Sequence, residues 1–284
     1  RVREALAMMF NFEWSNAQLF YGLYKRVQSF WGNSELEARG VPTEGERAVL
    51  QPLVDQGLLS AEILTDEAVM APVSGQRQLD RKNLRRASQL MDEAGWRVNA
   101  DGMREKDGQV FTLEVLDSSP AFDRITNPMI ENMKALGIDA RLNRVDTAQE
   151  SERTRAYDFD VTTHSMRMGF EPSSGLEQYF GTKAMDQSSR NLMGLSDPAV
   201  DALIEKTVRA QSKAELNTNI RALDRVLRAK RFWIPQWFKA VHTVAYYDQY
   251  GYPDPLPPFA RGELDFWWFD AEKAAKLEAA GVLN

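Results

Sequence analysis

Apolar positions in this chain repeat mostly with a helical period, broken by short alternating runs. At the start Val2, Ala5, Leu6, Met9 and Phe10 share one face, and the spacing predicts a helix that runs on through Asn16 to Gly22. Residues from about 30 to 80 carry no such order; Gly32-Asn33-Ser34, Gly40-Val41-Pro42 and Gly75 mark loops and turns. From Asn83 a stripe of Leu84, Ala87, Leu90, Met91 and Ala94 predicts a helix, and Gly95 is placed to stop it. Asp101-Gly102 and Asp107-Gly108 read as the tight turns of a short hairpin. Thr112 to Leu116 alternates as a strand. Ser119-Pro120 then opens a helix bearing Phe122, Ile125, Met129, Ile130, Met133 and Leu136, which Gly137 ends.

Asp139 to Val145 is the next strand, Thr147 to Arg155 a polar helix, and Phe159 to Thr163 a third strand. Strand, helix, strand, helix, strand at this spacing predicts an α/β fold, a parallel sheet with right-handed crossovers and flanking helices. Ligands of such sheets sit beyond the carboxyl ends of the strands, where the loop after Thr163 begins. Asp197-Pro198 opens a helix with Val200, Leu203, Ile204 and Val208 on one side. Ser212 and Glu215 form a capping box for another with Leu216, Ile220, Leu223 and Leu227. Phe232 to Val244 is aromatic and extended, with Pro235 marking an edge or bulge. From Tyr246 onward tyrosines, Phe259, Phe266, Trp267, Trp268 and Phe269 crowd a stretch with prolines at 253, 255, 257 and 258. This tail shows no regular period in which to bury its rings, so it is expected to lie across another body.

The 284 residues, 43% hydrophobic and 27% charged, are ordinary for a globular protein that can bury a sizeable core. A net charge of -6 argues against a nucleic-acid partner, and no apolar run approaches the roughly 18 residues of a membrane span. The absence of cysteine removes thiolate chemistry and disulfides together. With only His164 and His242, a histidine-based zinc site would need both plus a carboxylate from distant segments. No cofactor is expected. The pattern is helical from residue 1 without a cap, so a piece of a longer protein is expected.

No G-x-G phosphate loop, G-x-S-x-G elbow or HExxH occurs. The remaining concentration of chemistry is the 164–191 loop, with Arg167, Phe170, Glu171, Glu177, Gln178, Ser189, Arg190 and Asn191. Its length exceeds that of ordinary connections, and long loops are often functional. Arg167 or Arg190 suits a carboxylate, Glu171 or Glu177 an amino group, and Asn191 a peptide amide. Phe30 and Trp31 read as core anchors, with Trp31 also a candidate ligand contact. A hydrolase using Asp158, Asp160 or Glu171 is the alternative, with Asp158 and Asp160 expected two apart on one strand face. A third reading is an interaction module built on the aromatic tail.

Several stretches, in order, resemble the C-terminal half of a peptide-type solute-binding protein of an ABC importer, in the dipeptide/oligopeptide family and its Yej-type branch. They are Val2-Arg3-Glu4-Ala5-Leu6 with Phe12-Glu13-Trp14, then Tyr24-Lys25-Arg26, Ser29-Phe30-Trp31, Asn33-Ser34-Glu35-Leu36 and Asn83 to Trp96. Tyr157-Asp158-Phe159-Asp160, Glu177-Gln178, Ser189-Arg190-Asn191, Asp197 to Asp201, Ala222 to Leu227, Ile234-Pro235-Gln236-Trp237 and Trp267-Trp268 follow. The resemblance implies one lobe of a two-lobed, type II periplasmic binding protein, with residues 1–242 as the C-terminal lobe and 243–284 returning to complete the other. It also implies an exported, periplasmic, non-enzymatic protein of Gram-negative bacteria, made as a longer precursor. Its partners would be a peptide or peptide-like solute and an inner-membrane permease. Many members carry an Asp after the third strand for the peptide's amino terminus; Arg167-Met168-Gly169-Phe170 stands there instead. The branch's Pro-Gly-Asn-Glu-Gln appears as Pro172 to Gln178, which leaves Glu171 or Glu177 for that task.

Overall fold

The computed structural model describes residues 1–186, 190–241, 243–257 and 265–282. They divide into two compact units, Arg1–Phe238 and Lys239–Asn284.

In the first unit the opening apolar stripe is split between two helices, α1 (Val2–Met8) and α2 (Phe12–Gln18), instead of the continuous helix predicted. Asn11 causes the break: its extended backbone lets Oδ1 cap the Trp14 N–H, while Nδ2 donates to the carbonyls of Gly75, Arg77 and Gln78. β1 (Tyr24–Arg26) follows, then α3 (Glu44–Asp55), capped by Thr43, inside the stretch read as irregular. α4 (Arg81–Glu93) leads to an antiparallel meander of β2 (Arg97–Val98), β3 (Arg104–Lys106) and β4 (Gln109–Val110), with the hairpin turn at Asp107-Gly108 as predicted.

β5 (Thr112–Asp117), α5 (Asp123–Ala135), β6 (Asp139–Arg144), α6 (Thr147–Arg155) and β7 (Val161–Thr162) form the predicted parallel sheet, in the order β6-β5-β7. β7 is shorter than predicted: Asp158 and Asp160 lie just before it, where Arg153 binds Asp158 and the Glu114 N–H binds Asp160. α7 (Leu176–Phe180), α8 (Pro198–Val208) and α9 (Lys213–Ala229) complete the helices of this unit, and β8 (Trp237–Lys239) pairs with β1.

Two apolar cores result. α1, α4 and α5 pack on the sheet around Met9, Phe10, Met91, Val115, Met133 and Ile138. α3, α7, α8 and α9 enclose Leu50, Phe180, Val200, Leu203, Ile220 and Leu223. Each fully buried Leu or Ile stabilises by about 1.5–3 kcal/mol. The segment 29–70 contributes Phe30, Trp31, Leu36, Leu50 and Leu53 to the second core, and charged side chains of α9 hold the irregular stretches between them. Asp224 accepts from Ser29 Oγ and the N–H groups of Phe30 and Ala38. Arg225 reaches Glu46 and the Gly40 carbonyl; Arg228 reaches Asp224 and the carbonyls of Ala38 and Val69. Buried charges demand such complete pairing.

In the second unit β9 (Tyr250–Gly251) pairs antiparallel with β10 (Trp268–Phe269), and α10 (Ala271–Ala279), capped by Asp270, follows. Trp267 stacks on Tyr252 and meets Tyr246 edge-on at 5.1 and 4.5 Å between centroids. The tail therefore holds regular structure that its hydrophobic pattern did not announce.

Candidate ligand-binding site

The loop after β7 leaves the carboxyl end of the parallel sheet and is anchored from below. Met166 and Met168 pack on the second core, and Leu176 and Phe180 bury one side of α7 in it. Gly181 follows α7 because the Glu177 side chain folds across it: a Cβ there would stand 2.5 Å from Glu177 Oε1 and 2.8 Å from the Glu177 carbonyl oxygen. The Thr182 N–H donates to Asp201 at 2.9 Å, and Tyr157 Oη donates to the Asn191 carbonyl at 3.0 Å, so α8 and the turn after α6 hold the far side.

Of the side chains selected from sequence, Arg167, Phe170, Glu171, Gln178 and Arg190 are exposed on this loop and Glu177 is half-buried. Arg190 lies over the ring of Tyr179, 5.1 Å from its centroid, and donates to the Tyr179 hydroxyl. Stacking and the hydrogen bond together hold the guanidinium in one orientation beside α7. Tyr179 was not selected from sequence; its place one residue after Gln178, before the buried Phe180, is the signal that could have found it.

Two candidates are placed differently from the sequence reading. Asn191 is fully buried, and its amide serves the loop itself: Oδ1 accepts from the Leu195 N–H at 2.8 Å and Nδ2 donates to the Leu195 carbonyl at 3.0 Å and the Gly181 carbonyl at 3.4 Å. Trp31 is 3% exposed and packs against Phe30 and Phe180 beneath α7, as a support for the loop. Its indole N–H is buried without a hydrogen-bond partner among the described residues. Ser189 lies outside the described residues.

For the carboxylates of the hydrolase reading, Asp158 and Asp160 stand at the amino end of β7 in structural hydrogen bonds, whereas Glu171 follows its carboxyl end. Among the described residues no three His, Cys, Asp or Glu side chains are grouped to hold a metal ion. Burial lowers the pKa of His164, favouring its neutral form. No described helix is long and apolar enough to cross a membrane. The site offers ion-pairing and hydrogen-bonding groups on a firm mount, which suits holding a polar ligand.

The sequence pattern of the family described as "Bacterial extracellular solute-binding proteins, family 5 Middle" matches residues 1–187. A probable peptide-binding protein YejA of Agrobacterium fabrum is 38% identical over 270 residues, 94% of this chain and 44% of that protein. The chain thus spans less than half the length of that relative. Among solved structures, the oligopeptide-binding protein AppA of Bacillus subtilis in complex with a nonapeptide superposes with a TM-score of 0.61 at 16% identity, covering 84% of this chain and 41% of AppA. NikZ of Campylobacter jejuni in complex with Ni(L-His) does so with a TM-score of 0.59 at 14% identity, covering 84% and 41%. At these identities the superpositions speak for the fold, that of one lobe of a type II binding protein. The chain belongs to the bacterial extracellular solute-binding proteins of family 5.

Proposed function

We propose that residues 1–242 are one lobe of a two-lobed periplasmic binding protein, that 243–284 return to complete the other lobe, and that the whole protein captures oligopeptides or modified peptides for an ABC permease. The observation that carries this reading is the loop beyond β7: Arg190 oriented by Tyr179, with Gln178 and Glu171 exposed on the same loop, on a base anchored by Trp31, Phe180 and Asn191. Arg167, Arg190, Glu171, Glu177 and Gln178 are the proposed ligand contacts, with Phe170 as an apolar neighbour. Closure of two lobes would exclude water and strengthen each polar contact. Two proteins of this fold hold a nonapeptide and a nickel complex, so the fold alone does not choose the cargo; the YejA relative supports peptide. Calorimetry of the full-length protein with peptide pools tests it. Arg190→Ala is expected to weaken peptide binding about tenfold, the loss of one charge-assisted contact. Heat with a metal complex or sugar and none with any peptide would overturn the reading.

A further inference from the structure

Arg26, the last residue of β1, has no place in the site above. Its guanidinium lies over the rings of Phe10 and Phe12, 4.9 and 5.5 Å from their centroids. All three of its nitrogens are buried, and among the described residues none has a hydrogen-bond acceptor. The fully buried arginines are treated differently. Arg104 reaches Asp92, Ser88 and the carbonyls of Trp96 and Leu136; Arg225 and Arg228 each reach a carboxylate and backbone carbonyls. Glu13, the carboxylate whose charge acts on Arg26, holds the Ser74 N–H at 3.0 Å. Burial lowers the Arg26 pKa to about 10, which still leaves a full positive charge at neutral pH.

Ring faces attract a cation but accept nothing in the plane of its N–H fork. A purely structural Arg here would carry desolvation without the hydrogen bonds that compensate it. The group that matches a planar fork is a carboxylate, which takes two parallel bonds. We propose that Arg26 is a receptor for a carboxylate of the cargo, with Phe10 and Phe12 as the walls that keep the fork flat. This rests on the peptide-binding reading above. Because the nitrogens are covered, engagement requires the corner between α1 and α2 to shift, and the Asn11 cap is the joint of that corner.

The test uses the full-length protein and two pairs of peptides, one differing only in a free or amidated C-terminus, the other only in Glu against Gln. Calorimetry is run on the wild type, Arg26→Met and Arg26→Lys. The expected result is a wild-type preference for the carboxylate form of at least one pair by about tenfold or more, as a charge-assisted bidentate contact implies. Arg26→Met should lose that preference while binding the amide form as before, and Arg26→Lys should keep part of it. Without peptide, Arg26→Met should melt no lower than the wild type, since an unbonded charge has been removed. Equal wild-type affinity for both members of both pairs, or an undiminished preference in Arg26→Met, overturns the inference and leaves the peptide reading intact. A large fall in melting temperature with the preference retained makes Arg26 structural. No heat with any peptide removes the proposed function and this inference with it.

Discussion

Neutralising Glu46 should unlock the segment that α9 holds. The Glu46 and Arg225 side chains are 2% and 1% exposed, and Nε and Nη2 of the guanidinium donate to Oε2 at 3.2 and 2.9 Å. Glu46→Gln preserves volume and one acceptor but removes the negative charge, so the buried cation keeps only neutral oxygens, the amide oxygen and the carbonyls of Gly40 and Asp66, among the described residues. Removing one partner of a buried ion pair costs about 3–5 kcal/mol; the retained amide oxygen points to the lower end, about 3 kcal/mol. Set against a total stability of about 5–15 kcal/mol, that is a large share. For a body of this size it corresponds to a melting temperature lower by roughly 6–12 °C. Urea unfolding followed by far-ultraviolet circular dichroism should show a lower midpoint at unchanged slope. Replacing both residues by Met should recover most of the loss, because two apolar side chains avoid the desolvation of both charges. A Glu46→Gln midpoint equivalent to less than about 1 kcal/mol of destabilisation, the range of an exposed pair, would refute the reasoning.

Other outcomes follow from the same geometry. Burial by itself would raise the pKa of Glu114, but hydrogen bonds from Asn143 and Arg153 and the charges of Arg153 and Arg141 outweigh it and hold the carboxyl below its usual value. Its contribution is therefore present above the unfolded-state pKa of about 4.3 and lost as pH falls through the lower folded-state value. A Glu114→Gln variant should show a shallower loss of stability on acidification in urea titrations from pH 6 to 3. Asn191→Ala removes the amide that ties Leu195 and Gly181 together, at a cost of about 1–3 kcal/mol; limited proteolysis should then cut between residues 181 and 197 sooner than in the wild type. Gly251→Ala sets a Cβ 2.5 Å from the Trp268 ring, so that ring or the β9–β10 pairing must shift; overpacking of this kind costs about 1–3 kcal/mol, and near-ultraviolet circular dichroism of the tryptophans should change.

Elements with one strong apolar stripe were legible before any coordinates. α4, α5, α8 and α9 appear where Leu84, Ile125, Val200 and Ile220 begin or continue their repeats, and the parallel pairing of β5, β6 and β7 followed from the alternation of strand and helix, whereas their order did not. α3 was not legible, because Gly45 and Pro52 sit inside it and its inward face includes Glu46, a carboxylate that reads as surface. α10 was hidden because it buries Ala274 alone among its residues. The break between α1 and α2 escaped because Met9 and Phe10 continue the stripe, while the cause, Asn11, acts through carbonyls 64 to 67 residues away.

The same division runs through the site. Arg167, Glu171, Gln178 and Arg190 were recognisable as polar groups on a long loop, because residue type and loop position are local properties. Which groups face outward depends on how the loop folds back on itself and on the core beneath it. Asn191 turns inward because Leu195 and Gly181 present backbone groups to it, and Tyr179 joins the site because Phe180 locks α7 into the core. Sequence by itself determined the periods, the caps and the parallel sense of the strands, which follow from local pattern and the alternation of strand and helix. Tertiary structure alone decided the fate of the charges: Arg225 finds a carboxylate 179 residues away, while Arg26 finds two aromatic faces and, among the described residues, no acceptor. Local pattern cannot report this, because a charged side chain reads as solvent-facing until distant segments close over it.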